Sequence, residues 1–289
     1  MKRLALGTAQ FGLHYGIANQ FGQVTTDEVK KILQAARSAG IDTLDTAVAY
    51  GSSERVLGEI GVADWRIITK LPGLPENCNN IEDWVNNTVR ESLQRLKENK
   101  LAGLLLHRPL QLLEENGASL YQALINLKKE ELVEKIGYSI YSPDDLDRLY
   151  ERFPPDLMQA PFNIFDQQFL TNGWLKKLHE ADVEIHVRSV FLQGLLLMKP
   201  QDLPIKFYPW KTLWNKWYNW LNENNLTPLQ ACLRFAIAQP EINRVVVGVD
   251  NAGQLNEILS AAQCNAPLPP QELASEDKNL INPSLWHNL

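Results

Sequence analysis

The run DTAVAYGSSERVLG, from Asp45 to Gly58, ends a strand-like apolar segment on a carboxylate and places a phenol, Tyr50, five residues later in a Gly/Ser turn. An ordinary strand-to-helix turn needs neither group. A carboxylate next to a phenol at the mouth of a pocket is an arrangement for moving protons. The next two apolar runs also end on polar residues, Lys70 in RIITKL and His107 in LAGLLLH. Each alone has a plain structural explanation: an ion pair for the Lys or Asp, a hydrogen-bonded core position for the His. Together, on three successive strand-like runs with Tyr50 in the loop after the first, they point to one site. A core built only for packing avoids such residues, because buried charge is costly unless paired. Ser139, Gln159 and the Arg188-Ser189 pair lie at or near the ends of three later runs.

The elements that must position these residues follow from periodicity. Eight short apolar runs are predicted as strands: 3–9, 42–47, 66–71, 101–107, 135–140, 157–161, 184–190 and 244–249. Amphipathic stretches separate them, with helices predicted over 27–39, 81–98, 143–152 and 228–238. Thr25 or Thr26, Asn80 or Ile81, Ser142-Pro143 and Thr227-Pro228 supply the start signals. A βα alternation kept up eight times implies a parallel sheet closed as a single-domain (β/α)8 TIM barrel over residues 1–263, with 264–289 as a tail packed on it. No Gly-x-Gly-x-x-Gly turn follows any strand, which argues against an open dinucleotide-binding sheet. In a barrel the C-terminal strand ends converge on one mouth. Side chains alternate along a strand, so Asp45 shares a face with Thr43, and His107 with Leu105 and Gly103.

Composition bounds the alternatives. The 289 residues are 45% hydrophobic and 21% charged, those of a globular chain, and a core of this size requires no disulfide or metal for stability. A formal net charge of −6 disfavours nucleic acid and anionic membranes as partners. Cys78, Cys232 and Cys264 show no CxxC or Cys/His spacing, so no metal site is expected. The segment MKRLALGTAQFG has too few apolar residues for a signal-peptide core, and no run approaches the ~18 residues of a membrane span. A cytoplasmic location is expected.

On these residues the chain resembles the aldo-keto reductases. The resemblance rests on GTAQFG (7–12), DTAVAYGSSERVLG (45–58), ITK (68–70), LLLHRP (104–109), IGYS (136–139), MQAPFN (158–163) and GVDNAGQLNEI (248–258). It implies an NAD(P)H-dependent carbonyl reductase acting on a small-molecule carbonyl substrate, without a metal. Asp45, Tyr50, Lys70 and His107 would be the catalytic residues. Hydride delivered to a carbonyl carbon leaves an alkoxide, which Tyr50 would protonate; Lys70 would tune the phenol, Asp45 would hold Lys70, and His107 would bind the substrate oxygen.

The same resemblance implies a cofactor site. Ser139 and Gln159 match positions that hold the nicotinamide carboxamide, although Ile140 stands where an Asn usually follows the Ser. Arg188 stands where an aromatic often stacks on the nicotinamide. Ser189, Val190, Phe191, Gln193 and Gly194 match the segment along the pyrophosphate, and Gly7, Thr8 and Asp45 complete the near end. Gly248, Val249, Asp250, Gln254 and Glu257 belong to the adenosine-side stretch, which has no Lys or Arg for a 2′-phosphate. Lys199 or Lys206, in the long connection 191–211, would supply that contact, and NADP(H) is expected ahead of NAD(H). The alternative reading is an NADP(H)-binding regulatory or redox-sensing protein on the same barrel, like the potassium-channel β subunits that resemble this family. Trp210, Leu213, Trp214, Trp217 and Leu221 recur at helical spacing and read as a core-facing stripe. His14 and Tyr15 are placed to edge the pocket from the first loop. The tail, with Trp286, either covers the barrel mouth or straps its side.

Overall fold

The computed structural model describes residues 1–17, 19 and 22–289. Eight parallel strands close in sequence order into one barrel, β1 (Leu4–Gly7), β2 (Thr43–Asp45), β3 (Arg66–Leu71), β4 (Gly103–Leu106), β5 (Ile136–Ser139), β6 (Leu157–Pro161), β7 (Glu184–Arg188) and β8 (Arg244–Gly248). β1 pairs with both β2 and β8, with Gly7 opposite Asp45 on one side and Gly248 on the other. The predicted strands for β3 and β6 match residue for residue; the others are one to three residues shorter at their ends.

The helices begin where side-chain oxygens can take up their free N–H groups. Thr25 accepts from Glu28 N ahead of Thr26–Ser38, and Asn80 from Asp83 N ahead of Ile81–Leu96. Ser142 and Thr227 form full capping boxes, each followed by proline in the first turn of Pro143–Leu149 and Pro228–Ala238. Ser53–Ile60, Gly117–Lys129, Trp174–Glu180 and Ala252–Ala261 complete the ring of helices.

Side-chain parity divides the packing in two. Outward-facing strand residues such as Leu4, Leu6, Leu104, Val245 and Val247 join the helices in one large core. Inside the barrel, Ile68, Leu105 and Leu157 form a separate small cluster with no outward partners. On the same faces, toward the C-terminal ends, come Lys70, His107 and Gln159. The apolar interior therefore serves as a floor beneath a polar layer at the mouth.

Two segments lie outside the eightfold repeat. After β7 the chain makes short 3₁₀ turns over Leu192–Leu197, Pro200–Asp202 and Ile205–Trp210, then the added helix Lys211–Glu223. Trp214, Trp217 and Leu221 of that helix are buried, as the stripe implied, and Trp220 joins them. The tail packs on this segment. Trp286 packs edge-on against Phe207 with centroids 4.8 Å apart, and Trp210 Nε1 donates to Asp277 Oδ2 at 2.9 Å. No helix among the described residues is long and apolar enough to cross a membrane.

Candidate active site

Asp45 is the last residue of β2 and is buried, as is Lys70 on β3. Lys70 Nζ donates to Asp45 Oδ1 at 2.7 Å and to Thr46 O at 2.9 Å. The ammonium lies 5.0 Å from the centroid of the Tyr50 ring, which is half-buried in the loop after β2. The His107 ring meets Tyr50 edge-on, with centroids 6.2 Å apart and planes at 79°. The four residues singled out from the sequence thus meet at the C-terminal mouth of the barrel.

Burial opposes charge on Lys70, but Asp45 first and then Tyr50 outweigh it, and the ammonium pKa is raised. The lysine stays a cation. His107 behaves in the opposite way. Burial first, then the charges of Lys70 and Arg188, pull its pKa down to about 4, so its imidazole is neutral near pH 7.

Glycines explain why Tyr50 can stand over Lys70. A Cβ on Gly12 would lie 1.8 Å from Tyr50 O and 2.4 Å from Ser53 N, so only glycine lets the first βα loop pass beneath the Tyr50 turn. Gly51, at φ +56°, packs back on Gly12 O. Ser53 then ties the two loops together, its hydroxyl 2.9 Å from Thr8 O and 2.8 Å from Thr8 Oγ1. Glu54 is buried and accepts from Thr69 Oγ1 at 2.6 Å and from Arg95 Nε at 2.8 Å. The Ser53-Glu54 part of the opening motif therefore fixes the turn that carries Tyr50 and the strand that carries Lys70. Sequence reasoning did not assign these roles, because their partners are 45 and 41 positions away.

A cavity of about 340 Å³ opens over this cluster. Its lining runs from Asp45 and Tyr50 across Gly7 and Thr8 to Gly248, Asp250, Gln254 and Glu257, with Arg188, Ser189, Val190, Phe191, Gln193 and Gly194 along one wall. Of the residues matched to the nicotinamide, pyrophosphate and adenosine positions, Ser139, Gln159 and Val249 are outside that lining. Ser139 and Gln159 are instead buried and joined to the Asp45–Lys70 pair: Ser139 Oγ is 3.4 Å from Gln159 Oε1, and Gln159 Nε2 donates to Asp45 Oδ2 at 2.6 Å. Arg188 donates to Ile140 O at 3.0 Å and lies over the Tyr141 ring, 4.3 Å from its centroid.

The lining also contains residues that the sequence did not mark for binding, among them Gln10, Asn19, Leu197 and Leu229. Gln10 sits so close to Gly248 that a Cβ there would lie 2.6 Å from its amide. A polar residue inside GTAQFG was the available signal for Gln10; Asn19 had none, because it reaches the cavity by a bond from Nδ2 to Asp250 Oδ1 at 3.1 Å across the barrel mouth. Tyr15 lines the cavity as expected, whereas His14 is not part of it. Neither Lys199 nor Lys206 lines it, and Lys206 Nζ donates to Trp286 O at 2.8 Å.

Glycine-walled contacts at Gly7, Gly194 and Gly248, a tight turn with Ser189, Leu192 and Gln193 at positive φ, and polar groups at both ends suit an extended dinucleotide. Among the described residues there is no group of three or more His, Cys, Asp or Glu side chains placed to hold a metal ion.

Comparison with known proteins agrees with the geometry. The model of the Aldo/keto reductase family matches residues 3–280. The chain is 25% identical over 285 residues to the uncharacterized oxidoreductase YqkF of Bacillus subtilis, covering 91% of each. It is 27% identical to a D-threo-aldose 1-dehydrogenase of Pseudomonas sp, over 91% of this chain and 92% of that one. Among solved structures, the holo form of aldo-keto reductase AKR11C1 from Bacillus halodurans superposes with a TM-score of 0.73 at 19% identity, covering 94% of this chain and 89% of that one.

Proposed function

The chain belongs to the aldo/keto reductase family, and from that premise we propose that it reduces an aldehyde or ketone with a nicotinamide dinucleotide, Tyr50 donating the proton. The observation that carries this reading is the Asp45–Lys70 ion pair at 2.7 Å, its ammonium 5.0 Å from the Tyr50 ring centroid at the edge of the cavity.

When bound, the dinucleotide supplies the hydride. Ser189 to Gly194 would hold its pyrophosphate, Gly7, Thr8 and Gly248 would let it approach the backbone, and Asp250, Gln254 and Glu257 would face the adenosine. Gln159, bonded to Asp45, and Ser139, bonded to Gln159, would orient the carboxamide end. The chain's own task is the proton. Tyr50 gives its hydroxyl proton to the carbonyl oxygen as that oxygen gains charge. The Lys70 cation stabilises the phenolate left behind, and Asp45 keeps Lys70 charged and in place. His107, neutral near pH 7, offers a ring N–H to the same oxygen without adding a charge the site would have to bury. Hydride on carbon and proton on oxygen together make the alcohol.

Single-turnover oxidation of bound reduced cofactor by a reactive aldehyde tests the reading. Tyr50→Phe is expected to slow it by ~10²–10⁴-fold, the scale of losing a general acid, with cofactor affinity nearly unchanged. Equal rates in wild type and variant would remove Tyr50 from the role. Cofactor binding with no turnover in the wild type, across a panel of aldehydes and ketones, would favour the regulatory alternative.

A further inference from the structure

The end of the cavity remote from Tyr50 has an unusual charge. With the reacting group at Asp45 and Tyr50, a dinucleotide extended across β1 must place its adenosine ribose beside β8 and the start of Ala252–Ala261. The groups lining that end include Asp250, Gln254, Glu257, Leu229, Ile258 and Asn19, whose amide donates to Asp250 Oδ1. Arg188 is the cavity's one lining cation among the described residues, and it sits at the opposite end, against Tyr141 and Ile140 O.

Three of the N–H groups at this helix start are already engaged. Ala252 N donates to Glu28 Oε1 at 2.9 Å, Gln254 N to Asn251 Oδ1 at 2.9 Å, and Asp250 N to Gln254 Oε1 at 2.8 Å. Glu28, which does not line the cavity, thus occupies a donor at this end, and the carboxylates that face the cavity are Asp250 and Glu257. The neighbouring cation Lys31 is paired with Glu28 Oε2 at 3.0 Å.

We infer that the site selects NAD(H) over NADP(H), because a ribose 2′-hydroxyl can donate to these carboxylates whereas a 2′-phosphate would be repelled by them. This rests on the nicotinamide-dependent reading of the cavity. A phosphate monoester carries about −1.5 to −2 charges at pH 7, and its usual partner is an Arg or Lys, while an acidic side chain is the usual partner of the free 2′-hydroxyl. The sequence resemblance favoured NADP(H) with Lys199 or Lys206 as the phosphate ligand. Neither lines the cavity, and Lys206 is held by the tail at Trp286 O.

Calorimetric titration of the wild-type chain with NADH and with NADPH, at low salt and pH 7.5, reads the selection without any substrate. NADH is expected to bind at least ~10-fold more tightly, with the gap narrowing as salt is added, since repulsion between exposed charges is screened. Glu257 is exposed on the helix, so Glu257→Lys should fold normally, and it is expected to tighten NADPH by ~10-fold or more relative to NADH. NADPH binding as tightly as NADH, or a Glu257→Lys change that moves both equally, would overturn the inference and leave the proposed reduction standing. Binding of neither would overturn both.

Discussion

Gln159, on β6, donates its side-chain amide to Asp45 Oδ2 at 2.6 Å from the opposite wall of the barrel, while Lys70 takes Oδ1 at 2.7 Å. Asp45 is thus shared between a neutral donor and a cation, and neither oxygen lacks a partner. Gln159→Leu keeps the volume and removes the donor. Leaving a buried carboxylate oxygen unpaired should cost about 1–3 kcal/mol in urea denaturation. Turnover should fall at least ~10-fold, because Asp45 no longer has a fixed orientation toward Lys70. An unchanged denaturation midpoint would show that water replaces the amide at no cost.

The close passage of Gly12 under the Tyr50 turn gives a second expectation. Gly12→Ala puts a methyl group 1.8 Å from Tyr50 O, so the two loops must separate by more than an ångström. Displacement of a reacting group on that scale costs ~10²-fold in rate. Single-turnover rates should show this loss, with a lowered melting temperature. A variant with normal rate would mean that Tyr50 is not held by this contact.

The depressed pKa of His107 sets the acid side of the pH profile. Its protonated form arises only as pH falls through about 4, not through the ordinary 6.5. Rates should therefore show no ionisation step between pH 5 and 8 from this residue. The sign for stability follows from linkage. Between pH 6.5 and about 4 the unfolded chain binds the proton and the folded chain does not, so this group's contribution falls as pH falls through that window and is constant above it. Buried Asp166, raised from 3.8 to about 6 by desolvation, acts with the opposite sign in an overlapping window. Comparing wild type with His107→Asn at pH 7 and pH 4.5 isolates the histidine: the wild type should lose more stability relative to the variant at the lower pH.

Buried Glu54 depends on Arg95 for its counter-charge. Arg95→Met should destabilise the fold by about 1–3 kcal/mol, below the scale of a fully buried pair because the guanidinium is partly in water. Chemical denaturation reads it. A loss under ~0.5 kcal/mol would mean that Thr69 alone satisfies Glu54.

The barrel and the cluster of polar residues at its mouth could be read from the amino-acid sequence because both are local patterns. A βα alternation needs only the order of apolar runs. Asp45, Lys70 and His107 announce themselves as polar groups on strand ends, where the closing of parallel strands brings them to one mouth whatever the loops do. The start signals at Thr25, Asn80, Ser142 and Thr227 act over three residues and are equally legible. What the tertiary structure alone decided joins residues far apart in the chain. It placed Gln159 on Asp45, Ser53 on Thr8, Asn19 on Asp250 and Glu28 on Ala252 N. It bound Lys206 to the tail and placed acids, with no lysine among the described residues, at the remote end of the cavity. Composition counts such charges. Only closure of the barrel determines which of them share one cavity, because electrostatic energy depends on distance through space and not on separation along the chain.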